Sequence, residues 1–129
     1  MEVKRVLLVE DFPQLQELIS LQIKIVFGED VEIHITDSLQ GADELYDKHI
    51  GDIDLILLDT HLKNGVTTFK LAKRVAKEFN RPVVKIKGLI AISTDRCARE
   101  LMLREGCTYQ CEKSKLMKFL RKWKEEHEA

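Results

Sequence analysis

Short apolar runs and longer amphipathic segments alternate along this chain. The apolar runs lie at 6–9, 31–36, 53–59, 89–93 and 108–111. Runs of this length, rich in Val, Ile and Leu, are typical of strands. The segments between them repeat apolar residues at a spacing of three or four, which is typical of helices. The pattern therefore predicts a series of strand–helix repeats that extends over the whole chain.

The predicted helices have recognisable beginnings and ends. The first, 13–27, has Pro13 in its first turn and ends at Gly28. Asp37 or Ser38 can cap the second helix through a side-chain oxygen. The residues predicted to form the core face of the first helix are Leu15, Leu18, Ile19, Ile25 and Val26. The later boundaries predicted in this way are the Asn64-Gly65 turn before the third helix, Asp95 and Gly106 around the fourth, and Ser114 at the start of the last.

Alternating strands and helices with short connections predict an α/β fold, with a parallel sheet covered by helices on both faces. The run IDLILLD (53–59) is almost continuously apolar, as expected of a strand buried on both faces. No linker or repeat interrupts residues 1–129, so we expect a single domain. The stretch PVVKIKG (82–88) resembles an additional strand and has no place in this scheme.

Composition and charge exclude several classes of protein. The chain has 21 basic and 22 acidic residues and a net charge of −1, so it has no overall attraction to nucleic acid or to anionic membranes. No apolar run approaches the roughly 20 residues that span a bilayer, and the N-terminus lacks the features of a signal peptide. Three cysteines are too few for a disulfide framework, which favours the reducing cytoplasm. We expect Cys107 and Cys111 to be small apolar residues of the core.

Acidic residues are concentrated where predicted strands end. Glu10 and Asp11 follow the first strand, and Asp59 ends the third. In open parallel α/β sheets, ligands bind beyond the carboxyl ends of the strands. If the first and third strands are neighbours, about 4.8 Å apart, the three carboxylates converge in one cleft. Each negative charge then opposes the ionisation of the next, unless a cation lies among them.

The other polar residues at strand ends suggest what this cleft binds. Mg²⁺ prefers oxygen ligands and takes one or two carboxylates together with phosphate oxygens. Lys113 offers a second positive charge, and the hydroxyl of Ser93 offers a hydrogen-bond donor. These groups together can bind a phosphoryl group. Asp59 is the candidate nucleophile, because aspartate can form an acyl phosphate.

The chain contains four stretches whose order and spacing resemble those of a known protein family. They are VLLVEDFP, LILLD, LIAIST and GCTYQCEK. The chain resembles, over nearly its full length, the receiver domain of two-component response regulators, in the manner of the stand-alone chemotaxis regulators. The resemblance implies a flavodoxin-like, doubly wound, five-stranded parallel sheet in the order 2-1-3-4-5, with helices on both faces. The whole chain, 1–129, would then be one receiver domain.

The same resemblance assigns roles to the residues at the strand ends. Asp59 would be the phosphoacceptor. Mg²⁺ would be held by Asp11, Asp59 and the backbone carbonyl of His61, and Glu10 would assist through water. The residues that would contact the phosphoryl oxygens are Ser93 and Lys113.

The implied function is that of a signalling protein. A histidine kinase or a phosphotransfer protein would donate the phosphoryl group. The signal would then pass to an unknown downstream protein by protein–protein contact, without direct binding to nucleic acid or membrane. Chemical activity would be limited to self-phosphorylation and self-dephosphorylation.

The sequence departs from the family pattern in the parts that relay the signal. The loop after Asp59, DTHLKNG, has no proline and reaches Gly65 two residues early. Ser114 stands where the family has a proline. Gln110 stands where the family has an aromatic switch residue, and Tyr109 points to the opposite face of the strand. We therefore expect an intact acceptor pocket and a muted switch.

Two other functions remain open from the residues alone. A pseudo-receiver would keep the fold as a binding module and would not switch. A phosphatase of the haloacid-dehalogenase class also uses a strand-end Asp and Mg²⁺, but it needs a second Asp where this chain has His61. For single residues there are plainer roles: Glu10 and Asp11 can simply cap the next helix, and His34 can face solvent.

Overall fold

The structure, a computed structural model, describes residues 2–127 except the side chain of Asn64. The strands in this range are β1 (Arg5–Val9), β2 (Glu32–Thr36), β3 (Leu55–Asp59), β4 (Gly88–Ile92) and β5 (Tyr109–Cys111). The α-helices are α1 (Pro13–Phe27), α2 (Leu39–Lys48), α3 (Phe69–Glu78), α4 (Arg96–Glu105) and α5 (Leu116–His127). Short 3₁₀ turns at Lys63–Gly65 and Lys113–Lys115 follow β3 and β5.

All the strands described in residues 2–127 form one parallel sheet in the order β2-β1-β3-β4-β5. The predicted α/β class and strand order are therefore confirmed. β1 and β3 are neighbours, with Val9 opposite Leu58, so their carboxyl ends lie side by side at one edge of the sheet. This pairing brings together the acids that follow the two strands.

The helices cover both faces of the sheet, as predicted. One core lies between the sheet and α1 and α5, and the other lies between the sheet and α2, α3 and α4. β3 is buried along its whole length, because Leu55 and Leu57 point into the first core while Ile56 and Leu58 point into the second. No helix within residues 2–127 is long and apolar enough to cross a membrane.

The predicted core face of α1 is partly wrong. Ile19, Ile23 and Val26 are buried, whereas Leu18 and Ile25 are 49% and 51% exposed. Apolar residues occupy much of the circumference of this helix, so spacing alone cannot show which side meets the sheet. The exposed residues form an apolar face on α1.

The stretch 82–88 is not an additional strand. It is irregular up to Gly88, where β4 begins, and it crosses the amino-terminal edge of the sheet. The backbone N–H of Lys87 donates to the carbonyl of Asp54 at 2.7 Å, and its ammonium group lies 2.8 Å from the Asp54 carboxylate. The apolar residues of this stretch resemble the sequence pattern of a strand. The segment is instead held in place by these contacts and by the buried side chain of Val84.

Other local predictions have mixed outcomes. Ser38 and Asp95 cap α2 and α4, each through a side-chain oxygen that accepts a backbone N–H. Gly106 ends α4 at φ 122°, where a Cβ would also collide with Ala76 of α3. His34 does not simply face solvent, because its ring stacks on His49 with 4.3 Å between the ring centroids.

Candidate functional site

The acids at the ends of β1 and β3 converge. Oxygen atoms of the Glu10, Asp11 and Asp59 carboxylates all lie within 4.8 Å of one another. Glu10 is fully buried, Asp59 is 7% exposed, and Asp11 is half-buried. Within the described residues this is the one group of three or more potential metal-ligating side chains that lie so close together. The predicted acidic cleft is therefore present.

Lys113 enters this cleft from the turn after β5. Its Nζ lies 2.7 Å from a Glu10 oxygen and 3.1 Å from Asp59 Oδ2. Burial lowers the pKa of Lys113, but the ion pairs with Glu10 and Asp59 outweigh this effect and raise the pKa, so the ammonium stays charged. One ammonium therefore pairs with two carboxylates, a third carboxylate lies beside them, and the cleft holds more carboxylates than cations.

The Glu10 carboxylate is fully engaged by the protein. One oxygen pairs with Lys113, and the other accepts the backbone N–H groups of Asp11 at 3.0 Å and Phe12 at 3.3 Å. Burial and the nearby Asp59 charge raise the pKa of Glu10, whereas Lys113 opposes the rise. Glu10 thus fixes the turn from β1 into α1 and holds Lys113 in place.

Asp11 has the opposite environment. Its carboxylate makes no hydrogen bond or ion pair to any residue that the structure describes. The side chain is half-buried at the rim of the cleft, beside the buried carboxylates. Asp11 is therefore the carboxylate most available to an incoming cation.

The shortened loop after Asp59 closes on itself as a small hairpin. His61 pairs with Thr67 in an antiparallel bridge, the Leu62 N–H donates to the Val66 carbonyl at 2.7 Å, and Gly65 makes the turn at φ 74°. In this pairing the hydrogen bonds flank His61. Its own carbonyl accepts no hydrogen bond within the described chain, and its side chain is exposed. The His61 carbonyl therefore has no partner within the described chain, and its role as a metal ligand stays a prediction.

Thr68 is a residue of this site that the sequence did not reveal. Its side chain is completely buried, and its hydroxyl donates to the backbone carbonyl of Asp59 at 2.8 Å. The Thr68 N–H also donates to the carbonyl of Thr60 at 3.0 Å. These bonds fix the backbone that carries Asp59. No sequence signal predicts them, since they depend on how the short loop folds back.

Ser93 lies one residue beyond β4 at the same edge of the sheet. Ile92, the residue before it, is opposite Asp59 in the pairing of β3 with β4. Ser93 is 5% exposed, and its hydroxyl oxygen accepts the backbone N–H of Asp95 at 3.1 Å, which leaves the hydroxyl proton to donate. The structure thus places all the predicted site residues at one edge of the sheet.

The donors in this cleft suit a hard divalent cation. The available ligands are the carboxylate oxygens of Asp11 and Asp59, and the surrounding charge is negative. Mg²⁺ prefers such ligands and keeps several of its waters. The residues therefore fit the magnesium that the sequence predicts.

No family model and no curated protein matches this sequence. Solved structures do match. The signal receiver domain of NarL from Mycobacterium tuberculosis has a TM-score of 0.74 at 20% identity, with 98% of this chain and 96% of that chain covered. The chain has the fold of a response-regulator receiver domain.

Two other receiver structures bear on the site. The receiver domain of the sensor histidine kinase PA1611 from Pseudomonas aeruginosa has a TM-score of 0.70 at 20% identity, and the match covers 94% of this chain and 97% of that one. It has a magnesium ion coordinated in its active-site cleft. The receiver domain of Ssk1 from Saccharomyces cerevisiae, solved with the phosphotransfer protein Ypd1, has a TM-score of 0.74 at 17% identity, covering 95% and 89%. At these identities the likeness establishes the receiver fold, and the chemistry depends on this chain's own residues.

At β5 the structure shows where the two residues that depart from the family pattern lie. Tyr109 points toward α5, where its ring packs edge-on against Phe119 with 5.8 Å between the centroids. Gln110 points to the other face and is exposed, with its side-chain oxygen 3.0 Å from Arg99 Nε. Gln110 therefore has a polar partner on α4, which the sequence did not predict.

Proposed function

We propose that this chain is a receiver that accepts a phosphoryl group on Asp59 in a Mg²⁺-dependent reaction. The observation that supports this function is the pairing of Asp59 with Lys113 at 3.1 Å inside a cleft that also holds Glu10 and Asp11. A purely structural ion pair would balance its charges, whereas this cleft holds more carboxylates than cations. The surplus fits a cleft that receives Mg²⁺ and a phosphoryl group.

The donor in this proposal is phosphohistidine. An Asp59 oxygen attacks the phosphorus in line, a P–O bond forms, the P–N bond breaks, and the electron pair leaves with the imidazole. Lys113 stabilises charge on the equatorial oxygens, and the Ser93 hydroxyl donates a hydrogen bond to one of them. Glu10 keeps Lys113 in position, and Thr68 keeps the Asp59 backbone fixed.

Asp11, Asp59 and the His61 carbonyl would hold the metal, and Glu10 would act through water because both of its oxygens already have protein partners. When bound, Mg²⁺ supplies the charge that offsets the acidic cleft and the incoming phosphoryl oxygens. Asp59 has a second oxygen, Oδ1, which makes no hydrogen bond within residues 2–127. Oδ1 is therefore free to react, and Oδ2, which pairs with Lys113, is the oxygen left for the metal.

The partner that fits this function is a histidine kinase or a phosphotransfer protein. Phe12, directly after Asp11, is 50% exposed at the rim of the cleft, and Leu18, Leu21 and Ile25 form the exposed apolar face of α1. An exposed face of this kind beside a reactive group suits docking of a helical protein. The Ssk1 receiver has been crystallised with such a phosphotransfer protein.

Incubation with acetyl phosphate and Mg²⁺, followed by intact-mass measurement, tests the proposed acceptor. We expect the wild type to gain one phosphoryl group and Asp59→Asn to gain none. Asp30→Asn, an exposed acid in the turn after α1, is the matched control and should be labelled like the wild type. Equal labelling of Asp59→Asn and wild type would move the acceptor to another residue.

A non-switching pseudo-receiver remains the second candidate, because Gln110 replaces the expected aromatic residue and lies exposed. It would show no conformational response to a beryllofluoride mimic of the phosphoryl group. A phosphatase of the haloacid-dehalogenase class is disfavoured, since His61 stands in the place of its second Asp and is exposed. Steady turnover of phosphate monoesters would support the phosphatase instead.

A further inference from the structure

Arg99 of α4 connects two segments that the proposed function leaves separate. Its Nη1 donates to the backbone carbonyl of Ser93 at 2.8 Å, and its Nε donates to the side-chain oxygen of Gln110 at 3.0 Å. Ser93 directly follows the carboxyl end of β4, at the acidic cleft, and Gln110 lies on β5 next to α4. One guanidinium group therefore bridges the acceptor cleft and the surface formed by α4 and β5.

Ser93 is held by polar contacts from several directions. Its N–H donates to the Cys111 carbonyl at 3.3 Å, its hydroxyl oxygen accepts the Asp95 N–H at 3.1 Å, and its carbonyl accepts from Arg99. The one hydrogen-bonding atom of Ser93 not used in these contacts is the hydroxyl proton. Of these contacts, the hydrogen bond from Arg99 is the one that connects Ser93 with an exposed side chain, that of Gln110.

Arginine is suited to such a bridge. Its guanidinium is planar and presents several N–H donors in a fixed geometry, so two acceptors bound to it are kept at a fixed separation. A lysine side chain ends in a single ammonium and cannot impose the same geometry. Gln110 supplies an amide oxygen as acceptor, which a phenylalanine at this position would lack. Arg99 and Gln110 therefore work as a pair.

We infer that Arg99 is a positioning residue that holds Ser93 for the phosphoryl group and transmits its displacement to Gln110. The inference rests on the proposed function and describes how the same site is regulated. When the Ser93 hydroxyl moves toward a phosphoryl oxygen, the Ser93 carbonyl moves with it, and the Arg99 bond must follow or break. Either result changes the environment of Gln110. The sequence alone predicts a muted switch at Gln110, whereas this inference predicts a polar relay that reaches Gln110.

The backbone amide spectrum, recorded with and without beryllofluoride and Mg²⁺, tests this relay. In the wild type we expect shifts around Asp59 and Ser93 and also at Gln110. Arg99→Gln and Arg99→Lys should keep the shifts around Asp59 and lose the one at Gln110. Gln110→Ala removes the acceptor of the Arg99 Nε–H and should move its resonance even without beryllofluoride, whereas Gln110→Glu keeps an acceptor and should move it less.

Arg104→Gln is the matched control. Arg104 lies on the same helix, is exposed, and makes no hydrogen bond or ion pair with the residues that the structure describes. It should respond like the wild type. All the exchanged side chains lie outside the buried core, so folded spectra are expected for every variant.

The outcomes separate this inference from the proposed function. A Gln110 shift that persists unchanged in Arg99→Gln, with a normal response around Asp59, overturns the relay and leaves the acceptor function standing. Absence of any Gln110 shift in a wild type that responds at Asp59 also overturns it. A wild type that responds nowhere, and that acetyl phosphate does not label, overturns the proposed function and the relay together.

Discussion

Two buried carboxylates, Asp54 and Asp59, lie at opposite ends of β3 and have opposite surroundings. At the amino end, Asp54 accepts the backbone N–H groups of Lys4 at 2.6 Å and Arg5 at 3.1 Å, and it pairs with Lys87 at 2.8 Å. At the carboxyl end, Asp59 shares one ammonium with Glu10 and lies beside Asp11.

The difference distinguishes an ion pair whose charges are balanced from one that lies in a cleft with surplus carboxylates. Asp54 is a single carboxylate matched by one ammonium and by backbone donors, so its charge is satisfied within the protein. The cleft at Asp59 is under-neutralised and has oxygens without partners. Burial alone does not indicate function, because both carboxylates are buried. The balance of charges and donors around each carboxylate makes the distinction.

The largest expected effect is at the amino end. Asp54→Ala removes the partner of Lys87 and leaves the N–H groups of Lys4 and Arg5 without their acceptor. Removing one member of a buried pair in this way should lower the free energy of unfolding by about 3 kcal/mol. Urea denaturation measures the loss, with Asp30→Ala as an exposed control. A variant as stable as the wild type would show that Asp54 does not hold this end of the sheet.

A smaller loss is expected at the carboxyl end when Lys113 is replaced. Lys113→Met leaves Glu10 and Asp59 as neighbouring buried charges, which should lower the free energy of unfolding by about 2 kcal/mol. Because the cleft is predicted to bind Mg²⁺, the metal should restore more stability to this variant than to the wild type. Urea denaturation with and without Mg²⁺ measures both effects. Mg²⁺ should restore no comparable stability to Asp54→Ala. If Mg²⁺ restored the same stability to both variants, the distinction between the two ends of β3 would be wrong.

Asp11→Ala should affect binding rather than stability. Asp11 has no partner among the described residues, so its removal breaks no contact of the folded protein. The substitution does remove the most available ligand. The affinity for Mg²⁺ should therefore fall at least about tenfold, which is the size of effect that substitutions around a metal site have. Calorimetric titration with Mg²⁺ gives the affinity. If the titration of Asp11→Ala matched that of the wild type, Asp11 would not be a metal ligand.

The smallest expected effect concerns the stacked pair of His34 and His49. Burial lowers the pKa of His49, and the neighbouring charges of His34, Arg5 and Lys48 lower it further. A group whose pKa is depressed on folding contributes stability above its unfolded value, near pH 6.5, and loses it as the pH falls through the folded pKa.

His49→Gln should therefore flatten the decrease in melting temperature between about pH 7 and pH 5. Thermal unfolding followed by circular dichroism measures the decrease. An unchanged pH dependence in His49→Gln would assign the decrease to other groups. Neither end of β3 is involved, so Mg²⁺ affinity should not change.

Much of the acidic cleft is predictable from the sequence, because its residues lie at strand ends. Once β1 and β3 are neighbours, Glu10, Asp11 and Asp59 must meet, and Lys113 follows from the end of β5. Because the strands are apolar and buried, their pairing register is fixed, and the residues at their ends have little freedom to move apart. The strand order and the convergence of these acids were therefore accessible from pattern and resemblance, and the roles of the residues stay predictions.

The residues that the sequence did not reveal act through tertiary contacts. Thr68 reaches the Asp59 carbonyl only because the loop between them folds into a hairpin, and Arg99 reaches Ser93 and Gln110 only through the packing of α4 beside β5. The exposed side of α1 could not be distinguished either, since its apolar residues extend around the helix. No spacing rule encodes these contacts.

The measurement that tests the central claim most directly is a Mg²⁺ titration followed by backbone amide shifts of the wild type. The account predicts saturable shifts at Glu10, Asp11, Asp59 and His61, at the carboxyl edge of the sheet, and none at Asp54, at the amino edge. Shifts confined to Asp54, or spread equally over both edges without saturation, would contradict the claim that the surplus of carboxylates at Asp59 forms the metal-dependent acceptor site.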